Sequence, residues 1–166
     1  MYAWQFMKAL HIAEKHGWTR FVSMQNHLNL LYREEEREML PLCKEEKISV
    51  IPWSPLAKGR LTRDWEETTL RFQNDPAAQG LYIATAESSR KVVERVAEIA
   101  KKRGVPSAQI ALAWVLQKEP VTSPVMGVTK TSHLEDAVSA LSVTLTPEEV
   151  AFLEEPYVPQ RVVGLD

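Results

Sequence analysis

The stretch FVSMQNHLNLLYREEEREMLPLCKEEKISVIPWSPLAKGRLT, residues 21–62, decides the fold. Phe21-Val22-Ser23-Met24-Gln25 reads as a short strand, and Ile48-Ser49-Val50-Ile51 as a second that ends at Pro52-Trp53. Between them residues 33–47 read as a helix, acids leading and lysines trailing as the helix dipole favours. Pro41 predicts a break or restart near Leu40. Strands separated by a helix pair in parallel through a right-handed crossover, which is the unit of an α/β fold.

The chain on either side continues the alternation. Upstream, residues 4–16 place Phe6, Met7, Leu10 and Ala13 on one helical stripe, and Gly17 stops the run. Downstream, residues 54–80 carry Pro55, Gly59, Pro76 and Gly80 without a sustained period, and a connection that long is functional or disordered rather than a plain linker. Residues 86–103 predict an amphipathic helix with Val92, Val96, Ile99 and Ala100 on one face, ended by Gly104. Pro106-Ser107 opens a further helix through Lys118, with Ile110, Ala113 and Trp114 on a common side. Val121 to Met126 is a third strand candidate and Gly127 to Thr131 a polar turn. Ser132 then caps a helix to about Ala140, with Glu135 completing a capping box, and Thr146-Pro147-Glu148-Glu149 forms a second box. The tail from Pro156 reads as irregular. Three parallel strands leave two unpaired edges and normally need both faces covered, so the pattern is that of part of a sheet.

Composition narrows the function classes. Among 166 residues, 20 Lys and Arg face 22 Asp and Glu for a net charge of −2, which gives no basic surplus for nucleic acid and no acidic surplus for a polybasic partner. Hydrophobic residues at 45% and charged residues at 25% are globular rather than disordered proportions. The length suits one domain or an incomplete part of a larger one. A single cysteine, Cys43, excludes an internal disulfide or a cysteine-rich metal site and reads as a small residue on an apolar helix face. No apolar run approaches the ~20 residues of a membrane span and residues 1–15 lack a signal-peptide layout, so no membrane partner and a cytoplasmic location are expected.

Active sites of parallel α/β folds gather at the carboxyl ends of strands. Those positions are Gln25-Asn26-His27, then Trp53 through Gly59, then Gly127 through Thr131. Trp53 either fills the mouth of the sheet or offers a flat face to a planar ring. Gly127 through Ser132, ahead of a helix start and carrying Lys130, either cradles a phosphate or is an ordinary capped loop with a solvated lysine. His11 and His16 lack the i, i+4 spacing of a helical metal pair, and His27 follows a strand end where it could line a pocket but has no assignable acidic partner. These three and His133 read as structural or surface residues rather than catalytic ones, and Ser23 and Ser54 have no identifiable base. Glu34-Glu35-Glu36 reads as a solvated face in a helix's first turn. No metal site is expected.

Residues 21–62 closely resemble the second half of aldo-keto reductases, in the bacterial branch related to potassium-channel β subunits. SPVMGVTKTSHLEDAVSAL, residues 123–141, resembles the last strand and cofactor loop of the same family. The resemblance implies an α/β fold that is a partial (β/α)8 TIM barrel, about the last three strands with their helices, with residues 1–166 forming a single incomplete domain. It implies an NADPH-dependent oxidoreductase that reduces carbonyls to alcohols by hydride transfer. Gln25 resembles the residue that hydrogen-bonds the nicotinamide carboxamide, and Trp53 the aromatic that stacks on the nicotinamide. Ser54, Pro55, Leu56, Ala57 and Lys58 match the segment that wraps the pyrophosphate. Gly127, Thr129 and Lys130 match the loop near the adenosine 2′-phosphate. Asp136 stands where the family usually has Glu near the adenine, His133 at a position often held by Gln or Arg, and Ala137 in place of a frequent Asn.

The family's catalytic Asp, Tyr, Lys and His come from its first four strands, and none of Tyr2, Tyr32, Tyr82 or Tyr157 aligns with the catalytic tyrosine. The resemblance therefore assigns no catalytic residue here. It implies a truncation that is inactive alone, and that takes NADPH and a small carbonyl substrate when completed by an N-terminal part. The alternatives are a non-catalytic NADP(H)-binding or interaction module and an inert truncation product. Exposed sheet edges predict self-association.

Overall fold

The structure, a computed structural model, describes residues 1–67 and 85–163; the expected loop from residue 68 onward and Tyr82 lie outside the described residues. Helix α1 (Ala3–Lys15) leads to β1 (Ser23–Met24), a 3-10 turn (Glu34–Glu36), α2 (Met39–Glu45) and β2 (Ser49–Val50). A second 3-10 segment (Ala57–Thr62) follows, then α3 (Ala86–Arg103), α4 (Ser107–Leu116), α5 (Thr131–Ser139), a 3-10 turn (Ala140–Ser142) and α6 (Pro147–Glu154). The two strands pair in parallel with Ser23 opposite Ser49 and Met24 opposite Val50, so the expected β-α-β unit forms. Among the described residues no helix is long and apolar enough to cross a membrane.

α1, α3 and α4 bury the stripes expected of them, with Met7 as the exception, whereas α5 buries none of its residues. α3 buries Val92, Val96, Ile99 and Ala100, and Gly104 closes it in the left-handed conformation at φ 68°. α4 buries Ile110, Ala113 and Trp114, and ends at Leu116 rather than Lys118. α1 buries Phe6, Leu10 and Ala13, but Met7 is exposed. At 100° per residue Met7 lies about 90° from the mean direction of the other three, outside the stripe.

Two further expectations, the Ser132 cap and a regular third strand, give way to backbone chemistry, while the break near Leu40 forms. The helix read over residues 33–47 is broken as expected: a 3-10 turn ends at Glu36 and α2 restarts at Met39, next to Leu40. Pro41 is the third residue of α2, in the first turn where a missing N–H costs no intrahelical bond. Ser132 does not cap α5: the helix starts at Thr131, so Lys130 is the N-cap, and no side chain caps it. The second box does form. Thr146 accepts from the Glu149 N–H at 3.2 Å, and the Glu149 carboxylate accepts from the Thr146 N–H at 2.9 Å.

The strand read over residues 121–126 makes only isolated parallel bridges, Val50 with Val121 and Trp53 with Val125. Thr122 donates to the Val50 carbonyl at 2.9 Å, so residue 124 should donate to Pro52 next. Residue 124 is proline and has no N–H; Val125 donates to Pro52 instead, at 2.8 Å. The ladder skips one residue there.

Burial divides the sheet into two unlike faces. Ile48, Val50 and Pro52 are buried, and Met24 packs on the same core. On the opposite side Ser23 and Gln25 are exposed, and Ser49, Ile51 and Trp53 only half-buried. The covered face rests on a single cluster in which Trp114, Tyr32, Val96 and Leu153 are wholly enclosed. Each such side chain contributes roughly 1.5–3 kcal/mol by leaving water.

Candidate functional site

The register brings the three expected strand ends together. His27 bridges to Trp53, and Trp53 bridges to Val125, both in parallel. The Trp53 N–H donates to the Asn26 carbonyl at 2.8 Å, which ties the end of β1 to that of β2. Gln25, Trp53 and the start of the 127–131 loop therefore share one end of the sheet. Gln25 is exposed there, and Trp53 keeps part of its ring accessible.

Trp53 does not stand alone. His27 stacks on it with ring centroids 4.0 Å apart and planes 10° apart, and Tyr32 stacks on His27 at 4.3 Å and 13°. Asn29 organises the column: its Nδ2 lies 3.1 Å from His27 Nε2 and donates to the Ser54 carbonyl at 2.9 Å, while its Oδ1 accepts from the Leu31 N–H at 2.9 Å. Burial, helped by the Lys58 charge, pushes the His27 imidazole down to about 3, so the ring is neutral.

The segment after Trp53 is strained. Ser54, Ala57 and Lys58 adopt φ of 55°, 48° and 54°, and Gly59 follows at 92°. Each non-glycine residue there costs about 1–3 kcal/mol, which persists only where the surroundings fix it. Part of what fixes it is local, because the Ser54 carbonyl accepts from Ala57 at 2.9 Å and its Oγ from the Lys58 N–H at 3.2 Å. Pro55 and Ala57 are buried; Leu56 and Lys58 are half-buried.

The third strand end opens differently. Val128, Thr129, Lys130, Thr131 and Leu134 line a shallow recess of about 360 Å³ at the start of α5. Gly127, Thr129, Lys130 and His133 are exposed. Asp136 is not: its Oδ1 accepts from Nε2 of the buried Gln109 at 3.0 Å, so this carboxylate is held against α4.

Two tyrosine hydroxyls are committed to structure. Tyr157 donates to Glu34 Oε1 at 2.6 Å, and Tyr32 accepts from the Val163 N–H at 3.2 Å. Burial raises both above the ordinary phenol range, the wrong direction for a proton donor at neutral pH. Glu34 corrects the expectation of a solvated acidic face. It is buried and accepts from Tyr157, from the Gln160 N–H at 2.8 Å and from Arg37 at 2.6 Å. Burial alone would raise its pKa, but those hydrogen bonds and the Arg37 charge hold it below the usual carboxylate range. Glu36 is likewise engaged, with Arg33 at 2.7 Å and Lys118 at 3.5 Å. Asn29, Gln109 and the tail contacts are absent from the sequence reading. The one local signal was the polar run Gln25-Asn26-His27 followed by Asn29 between apolar residues, and spacing does not reveal a ring stack.

Comparison with known proteins gives this geometry a context. The pattern of the aldo/keto reductase family matches residues 1–157. The chain is 44% identical over 164 residues to a versiconal hemiacetal acetate reductase of Aspergillus parasiticus, covering 98% of this chain and 48% of that protein. It is 42% identical over 162 residues to a putative aryl-alcohol dehydrogenase of Saccharomyces cerevisiae, covering 97% and 47%. It is 45% identical over 166 residues to an aldo-keto reductase of Metarhizium robertsii, covering 99% and 44%. These three relatives are fungal. The chain spans about half the length of the curated relatives it matches.

Proposed function

The chain belongs to the aldo/keto reductase family of oxidoreductases, and on that footing we propose that it is the NADPH-holding C-terminal part of a carbonyl reductase. The observation that carries this is the register His27–Trp53–Val125, which aligns an amide, a flat ring and a lysine-bearing loop at one end of the sheet. The donor set fits a dinucleotide. Gln25 offers an exposed amide for a carboxamide, Trp53 a partly accessible ring, and Lys58 and Lys130 two cations for phosphates. Ser54, Pro55, Leu56 and Ala57 form the strained turn between ring and lysine, and Gly127, Thr129, His133 and Asp136 the adenosine end. Bound nicotinamide supplies the hydride that reduces a carbonyl carbon.

The chain's own residues bind and orient. Trp53 and Gln25 set the plane and the rotation of a ring at the strand ends, and the lysines fix the charged middle and far end. Among the described residues Tyr32 and Tyr157 are held by Val163 and Glu34, which supports the reading that the proton completing an alcohol comes from a segment outside this chain. In this reading the chain binds cofactor without turnover and forms about the last three strands of a (β/α)8 barrel. The half-bare sheet face supports the barrel, because a parallel sheet is covered on both sides. The resemblance of residues 21–62 is what supports placement in the bacterial branch related to potassium-channel β subunits.

The test is titration of the chain with NADPH, following tryptophan fluorescence, with Trp53→Phe as control. Saturable quenching that the Trp53→Phe chain lacks is the expected result, with no NADPH oxidation on adding an aryl aldehyde. Oxidation should begin when a segment bearing the family's Asp, Tyr, Lys and His is supplied. An unchanged signal at millimolar NADPH, or turnover by the pure chain alone, contradicts the proposal.

A further inference from the structure

We propose that His27 is a positioning residue for Trp53: its imidazole backs one face of the indole and fixes the plane that the ring presents at the strand ends. The inference deepens the proposed function and rests on it only for what the indole then stacks upon.

The geometry is that of a column. Trp53, His27 and Tyr32 lie nearly parallel, at 4.0 Å and 10° for the first pair and 4.3 Å and 13° for the second. The middle ring is set by Asn29. Because Asn29 Oδ1 accepts from Leu31 N–H and its Nδ2 donates to the Ser54 carbonyl, the amide orientation is assigned by two partners. Its remaining N–H points at His27 Nε2, 3.1 Å away, so that nitrogen accepts and the ring proton sits on Nδ1. A depressed basicity agrees with that tautomer, since protonated imidazole would set two donors against each other. Asn29 thereby joins the imidazole to Ser54, the neighbour of Trp53 in the chain. Tyr32, at the far end, is tied through its hydroxyl to the Val163 N–H at 3.2 Å. A flat ring at position 27 thus has a fixed plane on one side and the indole on the other.

The test labels the full chain with 5-fluorotryptophan and assigns the Trp53 and Trp114 lines by Trp→Phe variants. In His27→Leu, which fills space without a flat face, the 19F transverse relaxation of Trp53 should slow at least twofold while the buried Trp114 line is unchanged. His27→Phe, which restores a flat ring, should keep the wild-type relaxation. An unchanged Trp53 line in folded His27→Leu overturns the inference, and so does a mobile Trp53 in folded His27→Phe. If His27→Leu loses the native Trp114 line, the phenylalanine variant decides alone. NADPH titration adds a second arm, with affinity reduced at least fivefold in His27→Leu and within twofold of wild type in His27→Phe. Absence of binding by the wild-type chain removes the proposed function, while the relaxation readout still decides the role of His27.

Discussion

Glu34 carries a charge into a place where an arginine, a phenol and a backbone amide meet it, and His27 refuses one in a place that would bury it. The two choices have the same sign in their pH dependence. His27 titrates near 6.5 when unfolded and about 3 when folded, so between those values the unfolded chain binds a proton that the folded chain excludes. Stability therefore falls as pH drops from about 6.5 towards 3. Glu34, with a folded pKa below its unfolded one, adds loss only below the ordinary carboxylate range. Melting temperature should hence fall between pH 7 and pH 5, and His27→Phe should flatten that limb while leaving the steeper loss below pH 4.5. A wild-type melting temperature constant from pH 7 to pH 5 would contradict a buried neutral imidazole. Neither role was legible in sequence. Arg37 is a near neighbour of Glu34, but Tyr157 and the Gln160 N–H lie more than a hundred residues away, and a strand-end histidine looks alike whether it stacks or points outward.

Elements whose signals are local were legible, and those whose outcome depends on a neighbour were not. α3 follows from the spacing of Val92, Val96, Ile99 and Ala100 with Gly104 behind it, all within one segment. The Thr146–Glu149 box is equally local, and replacing Thr146 with Ala should cost about 1 kcal/mol by losing the bond to the Glu149 N–H. Denaturant unfolding measures it as a lower midpoint at unchanged slope. The box at Ser132 has the equivalent Ser-x-x-Glu pattern, but its helix begins two residues early, with Lys130 as the N-cap and Thr131 as the first helical residue. The segment after Pro120 reads as a strand by composition, yet its pairing depends on which amides face β2, and Pro124 falls where one is required. The site was legible as three loops at the carboxyl ends of parallel strands; which residues stand beside one another there, His27 with Trp53 and Trp53 with Val125, came from the pairing register.

The molecule as a whole is lopsided. Helices cover one side of the sheet, while the other carries Ser23, Gln25, Ile51 and part of Trp53. On α5 and the turn after it, Leu134, Val138 and Leu141 stand 51%, 58% and 69% exposed at helical spacing, so a second apolar stripe faces outward. Surface of this kind is covered in stable proteins by something. Purified alone, the chain should sediment as a mixture of species heavier than 18.9 kDa, and added salt should not disperse them, since the contacts are apolar rather than ionic. A single monomeric boundary at tens of micromolar would argue that the bare surfaces are tolerated.

The skipped proline has an effect that reaches past its own position. Strand side chains alternate with period two, and dropping one residue out of phase inverts every side chain that follows. Val121 shares the covered side with Val50, whereas Val125, four residues later, shares the opposite side with Trp53, three residues after Val50. Pro124 thus acts as a half-step in the count: without it, the odd and even positions leading into the lysine loop would trade places, and the loop would depart from the wrong side of the sheet.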